Sequence, residues 1–344
     1  MVRHPQAVRA LPELGDLDEI LDLFGSRATC FELARVESGG VAFPITGVVV
    51  GAARADAPTL ALIGGVHGLE RIGTHVVLAA MHGFARYLAW DRVLTKLLDE
   101  VRLVFVPLVN PVGMALRRRS NGEGVDLMRN APTDHASSPT TPILGGHRLS
   151  PRLPWYRGRA GAAMQIEAAA LCECVRRFVA PARAAIVVDV HSGFGSVDRL
   201  WFPYAREHRP FASLAEMLAL TDLLESSLPH HVYVIEPVSR QYRVQGDLWD
   251  YLYDEQREQG RTSFLPLTLE LGSWSWVRKN PAQLLDVLGG FNPMHPHRRR
   301  RTLRRHGPLF EFLLRAVAGY EAWTGFDEPE RRRLELEAER RWYR

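Results

Sequence analysis

The sequence predicts an α/β protein, with a mixed, mostly parallel central β-sheet and helices on both faces. Three observations predict it. Short apolar runs rich in Val, Ile and Leu alternate with stretches of helical periodicity along most of the 344 residues, the pattern of strand–helix–strand units. Several runs are continuously apolar, as strands covered on both faces are. Gly, Pro and Asn punctuate their ends, where the chain must turn.

Residues 28–36 (ATCFELARV) and 41–52 (VAFPITGVVVGA) read as paired strands. TLALIGGV (59–66) reads as a buried strand. A helix follows over 72–90, with Val76, Val77, Ala80 and Phe84 at helical spacing. VRLVFVPLV is the next strand, stopped by NPVG at 110–113. Residues 115–160, rich in Pro, Gly, Ser and Thr, read as mostly irregular. A helix over 161–180 leads to the strand AAIVVDVH, which ends at His191. Residues 211–228 read as a helix and HVYVIEPV as a strand. GDLWDYLYDEQREQG is a helix that starts near a Gly-Asp cap and ends at Gly260. FLPLTLELG is the last strand, and PLFEFLLRAVAGYEAW an amphipathic helix. No internal repeat or linker divides the chain, so residues 1–325 are expected to form one catalytic domain and 326–344 a charged, exposed helix or tail.

The balance of 46% hydrophobic and 24% charged residues is that of a globular chain. No apolar stretch approaches the roughly 18 residues of a membrane span, and the N-terminus lacks the apolar core of a signal peptide. Cys30, Cys172 and Cys174 make no disulfide framework; these features together lead us to expect a cytoplasmic protein without membrane contact. The basic run 297–306, HRRRRTLRRH, reads as a solvated helix face or an oligomer contact. Nucleic-acid binding is not expected, because no nucleic-acid module accompanies it. The HPH triplet at 295–297 reads as surface.

In open α/β sheets, ligands bind at the carboxyl ends of the strands. Three such ends carry candidate groups: GGVHGLE supplies His67 and Glu70, VVDVHSGFG supplies His191, and LTLELGS supplies Glu270. Among 13 histidines only His67 has Glu three positions on. Two histidines and a glutamate suit a catalytic zinc with an open fourth position. A further carboxylate is what general-base chemistry beside it needs. Alternation along the strand puts Glu270 on the face of Thr268. An unpaired carboxylate buried there for structure alone would cost several kcal/mol. No Gly-x-Ser-x-Gly elbow, phosphate loop or dinucleotide-binding turn competes.

In chain order, HGLE, NPVGM, RRSNGEGVDLMRN, DVHSGFG and LTLELG resemble the motifs of the zinc metallocarboxypeptidase superfamily, which includes carboxypeptidase A-like peptidases and the succinylglutamate desuccinylase and aspartoacylase amidohydrolases. The match spans residues 45–290. His191 lies 124 positions after His67, and Glu270 79 after His191, gaps similar to those of the peptidase branch. The resemblance implies the zinc carboxypeptidase-like, phosphorylase/hydrolase-like fold and one Zn²⁺ per chain, ligated by His67, Glu70 and His191. It implies that Glu270 is the general base toward a metal-bound water, and that Arg119, with Arg118 as the nearby competitor, stabilises the oxyanion. Asp126 falls where the family has a carboxylate behind the first histidine. By our own reading Asp189, two positions before His191 on one strand face, does the same for a neighbouring group.

Met128-Arg129 stands where the family has Asn-Arg. Arg129 keeps its fork for a carboxylate, but Met128 has no donor; Arg117 is a candidate helper. Tyr242 falls where the family has a tyrosine that covers the substrate, whereas Tyr251 and Tyr253 read as helix packing. The expected substrate is a small peptide or an N-acyl amino acid. The alternatives are an amidohydrolase of the desuccinylase type and a regulatory metal-binding protein without catalysis.

Overall fold

The computed structural model describes residues 4–133, 141–260 and 263–344. Helices α1 (Pro5–Ala10) and α2 (Pro12–Phe24) precede strands β1 (Ala28–Ser38), β2 (Val41–Gly51) and β3 (Thr59–Gly64). Helices α3 (Arg71–Tyr87) and α4 (Arg92–Glu100), strand β4 (Arg102–Val106) and helix α5 (Pro111–Ala115) follow. Next come α6 (Ile166–Phe178), β5 (Ala185–Ser192), β6 (Arg199–Phe202), α7 (Leu214–Ser227) and β7 (Val234–Pro237). The chain continues through α8 (Leu248–Glu258), β8 (Phe264–Leu271), α9 (Trp274–Lys279), α10 (Pro296–Arg305), α11 (Gly307–Ala318) and α12 (Glu328–Trp342).

Among the described residues the strands make one eight-stranded sheet in the order β1-β2-β4-β3-β5-β8-β6-β7. Its centre, β4-β3-β5-β8, is parallel, and β6 pairs β7 in parallel. The contacts β1–β2, β2–β4 and β6–β8 are antiparallel. Every residue of β3, β4 and β5 is buried, which explains why these strands read as unbroken apolar runs. Each fully buried Val, Leu or Ile there contributes about 1.5–3 kcal/mol. Helices cover both faces. On β5 the Asp189 side chain meets Trp249 of α8. The adjacent Val190, on the opposite face, abuts Gly73 of α3.

The structure adds elements that the sequence pattern did not announce. Helix α2 carries an apolar face of Leu14, Leu17, Ile20, Leu21 and Phe24, all buried. Helix α4 begins at Asp91, whose side chain accepts from the Val93 and Leu94 amides. Strand β6 is only four residues long. Residues 134–140, part of the segment read as irregular, lie outside the described residues. The charged terminal segment is no free tail: Leu334, Ala338 and Trp342 of α12 are buried in the main core. The Trp342 indole N–H also donates to the Ile235 carbonyl at 2.9 Å. Charge dominates the composition of α12, but its few apolar residues share one face, and that face decides the packing. Cys172 and Cys174 are buried free thiols, pushed up to about 12 by burial.

Candidate metal centre

The centre lies at the carboxyl end of the parallel strands. The chain leaves β3 through Gly65, at φ +67°, where a side chain would also strike Thr74 Oγ1 at 2.5 Å. At Gly68 a Cβ would lie 2.1 Å from the Gly113 backbone, so only glycine permits this close passage. The tight turn places His67 and Glu70 together, with Glu70 just before α3. His191 arrives from the end of β5, and Glu270, its register partner, from β8.

His67, Glu70 and His191 offer donor atoms that all lie within 4.8 Å of one another, and all three side chains are buried. His67 Nδ1 lies 3.0 Å from Glu70 Oε1, and His191 Nδ1 lies 3.0 Å from Glu70 Oε2. The two Nδ1 atoms are 3.1 Å apart. Behind them, His67 Nε2 meets Asp126 Oδ1 at 3.1 Å and His191 Nε2 meets Asp189 Oδ2 at 2.8 Å. A carboxylate behind each ring holds the proton on Nε2. The Nδ1 atoms then face each other across 3.1 Å, an arrangement that a proton or a metal cation at the centre relieves. This donor set fits a divalent metal of the zinc type.

The charges agree. Burial opposes ionisation of Glu70, yet His67 and His191 outweigh it and hold the carboxyl well below its usual range. Burial likewise opposes a charged His191, but Asp189 and Glu70 pull it well above its usual value. A divalent cation held by Glu70 and the two imidazoles would take the place of the proton that His191 holds. Burial, reinforced by Glu70, pushes the Glu270 carboxyl up to about 8. A metal cation beside Glu70 would return it toward the carboxylate form that a base needs. Glu270 accepts from the Phe194 amide at 2.9 Å.

Arg119 donates to Glu70 Oε1 at 3.0 Å and to Asp126 Oδ2 at 2.9 Å. Burial opposes its charge, but Asp126 and then Glu70 reverse this and raise its pKa. Arg129 donates to Asp126 Oδ2 at 3.2 Å and to the Leu144 carbonyl at 2.9 Å. Both arginines line a cavity of ≈ 550 Å³ together with His67, Glu70, His191 and Glu270. Met128 lies on the same wall, where the expected amide donor is missing. Tyr242 also lines the cavity, with ring centroids 5.7 Å from both Phe194 and Trp201. Burial pushes its hydroxyl pKa up.

Arg118 is a correction: it is exposed and does not line the cavity. The residues after α5 turn outward, and only Arg119 returns to the centre. Arg117, the suggested helper, is exposed too and pairs with Asp286. Tyr253 is buried and bonded to Ser213, while Tyr251 lies against Arg176. His295 and His297 are exposed and stack on each other. Sequence reasoning overlooked Trp155, Phe194, Trp201 and Asp247 on the cavity wall. Only Phe194 carried a signal, three residues after His191.

A buried His-Glu-His centre of this kind, at the strand ends of a mixed sheet with a carboxylate and two arginines around it, defines the metallohydrolase class of site. The zinc carboxypeptidase family model matches residues 32–275, and the chain belongs to that family. A 124-residue stretch, 34% of this chain, is 29% identical to carboxypeptidase SOL1 of Arabidopsis thaliana and spans 25% of that relative's length. Carboxypeptidase A of Helicoverpa armigera shares the fold, with a TM-score of 0.62 and 20% identity over 89% of this chain and 73% of the other. A metallo-carboxypeptidase of Burkholderia cenocepacia does so at 0.56 and 17% identity, over 89% and 68%.

Proposed function

We propose that the chain is a zinc-dependent hydrolase that cleaves an amide or peptide bond next to a free carboxylate. One observation carries this reading: two imidazole Nδ1 atoms and both Glu70 oxygens converge on one point, in a cavity that also holds Glu270 and two arginines. His67, Glu70 and His191 would hold the zinc, which supplies Lewis acidity toward the scissile carbonyl and toward water. Asp126 and Asp189 keep both imidazoles in the tautomer that offers Nδ1.

Glu270 takes the proton of the attacking water and passes it to the leaving nitrogen. Arg119 faces the charge that develops on the carbonyl oxygen. Its bonds to Glu70 and Asp126 fix the guanidinium beforehand, so little reorganisation accompanies the reaction. Arg129 binds the substrate carboxylate, and Tyr242 covers the ligand from the Phe194–Trp201 side. We place the protein in the cytoplasm on its cysteine usage.

A second reading, an N-acyl amino acid amidohydrolase, is favoured by Met128. With no amide donor beside Arg129, the grip on a peptide's terminal carboxylate is halved and the wall is apolar. Metal analysis tests the shared core. The wild-type chain is expected to carry one zinc and His67→Ala far less; little zinc in both would sink the proposal. Relative kcat/KM on short peptides and N-acyl amino acids decides between the two substrate classes.

A further inference from the structure

Asp189 accepts from two donors, one of which lies outside the metal centre. Its Oδ2 receives His191 Nε2 at 2.8 Å and also the indole N–H of Trp249 at 2.9 Å. Its Oδ1 is buried and has no hydrogen-bond partner among the described residues. Asp189 is fully buried and Trp249 is only 3% exposed. A carboxylate with one oxygen doubly used and the other orphaned has no reason of its own to hold that rotation. A buried unsatisfied oxygen is costly, so another contact must fix the group. The indole supplies it.

Trp249 is itself anchored. It sits in the first turn of α8, where Asp247 accepts from the Trp249 and Asp250 amides at 2.9 and 3.0 Å. Asp250 in turn accepts from the Ala205 and Arg206 amides, each at 3.0 Å. Asp247 lines the cavity. One helix start therefore forms part of the ligand wall and reaches behind the metal ligand.

We propose that Trp249 is a positioning residue of the metal centre. Its indole N–H locks the Asp189 carboxylate so that Oδ2 faces His191, and His191 presents Nδ1 to the metal. This rests on the reading of the centre as a zinc site. Removing the direct partner of a metal ligand changes affinity about 10- to 100-fold, and Trp249, one contact further out, is expected at the low end of that range.

The test compares zinc dissociation constants, measured by chelator competition, in wild type, Trp249→Phe and Tyr253→Phe. Tyr253 is a buried aromatic of the same helix whose hydroxyl meets Ser213, away from the centre. Trp249→Phe is expected to bind zinc about tenfold more weakly and to shift the visible spectrum of the cobalt-substituted chain. Tyr253→Phe is expected to stay within twofold, with an unshifted spectrum. In the wild-type chain labelled at indole nitrogen, the Trp249 N–H resonance is expected to move when zinc is added, which needs no variant to fold. Wild type loaded with zinc, Trp249→Phe within twofold of it and an indifferent indole resonance would overturn the inference alone. Wild type that takes up no zinc would overturn the zinc reading, and this inference with it.

Discussion

Two clusters of similar residues, one partly exposed and one buried, flank the same turn and do opposite things. On one side Glu13, Arg71 and His75 meet: Arg71 donates to Glu13 at 2.6–2.9 Å, and His75 lies 3.0 Å from Glu13. On the other side, one residue away in the chain, Glu70 meets His67 and His191. In the first cluster the carboxylate is consumed by a guanidinium that brings its own positive charge. In the second, Arg119 meets the carboxylate at Oε1 alone, carboxylates stand behind both imidazoles, and the two Nδ1 atoms face each other. The first cluster is closed by its own charges, whereas the second offers His67, Glu70 and His191 to a cation.

Withholding the cation expected at the centre is the largest way to break the comparison. Chelation is expected to abolish hydrolysis and lower stability by about 4 kcal/mol relative to zinc at a thousand times its Kd. The shift in Tm checks this, and the Glu13 cluster should not respond. Next, Glu270→Gln is expected to keep its zinc and lose kcat by about 10²- to 10⁴-fold. Normal turnover in that variant would show that the base is another group.

Glu13→Gln sharpens the other side. Burial opposes ionisation of Glu13, but its bonds to His75 and Arg71 hold its pKa down to about 2 from 4.5. In the folded chain it stays ionised where the unfolded chain has begun to bind the proton. Its contribution, about 3 kcal/mol by proton linkage, is therefore complete above pH 4.5 and lost as the pH falls toward 2. Urea midpoints should show Glu13→Gln destabilised at pH 7, with the gap to wild type narrowing below pH 4.5 and zinc content unchanged. The smallest effects separate two neighbours: Arg119→Ala is expected to cost about 10²-fold in kcat, and Arg118→Ala less than about 0.5 kcal/mol in any quantity.

The strands were legible because burial on both faces leaves an unbroken apolar run, as in β3 and β5. The ordered motifs pointed to His67, Glu70, His191 and Glu270, and strand alternation put Thr268 and Glu270 on one face; both line the cavity. Arg118 and Arg119 could not be separated in this way. They are chemically identical, and a loop, unlike a strand, has no period to say which side chain turns inward. Helix α12 misled for a related reason, since composition averages over faces and packing selects one.

By itself the sequence determined the alternation of strands and helices and the chemical identity of the centre. Both are carried by local pattern: side-chain period, turn glycines and residue types at strand ends. The sequence pointed to Asp126 and Asp189 as carboxylates behind the ligands, and the tertiary structure decided which ring nitrogen each one meets. That choice depends on Asp126 and Asp189 standing behind the rings, and on Trp249 reaching Asp189 from 60 positions away. Hydrogen-bond direction is a property of atoms brought together in space, and no spacing along the chain encodes it.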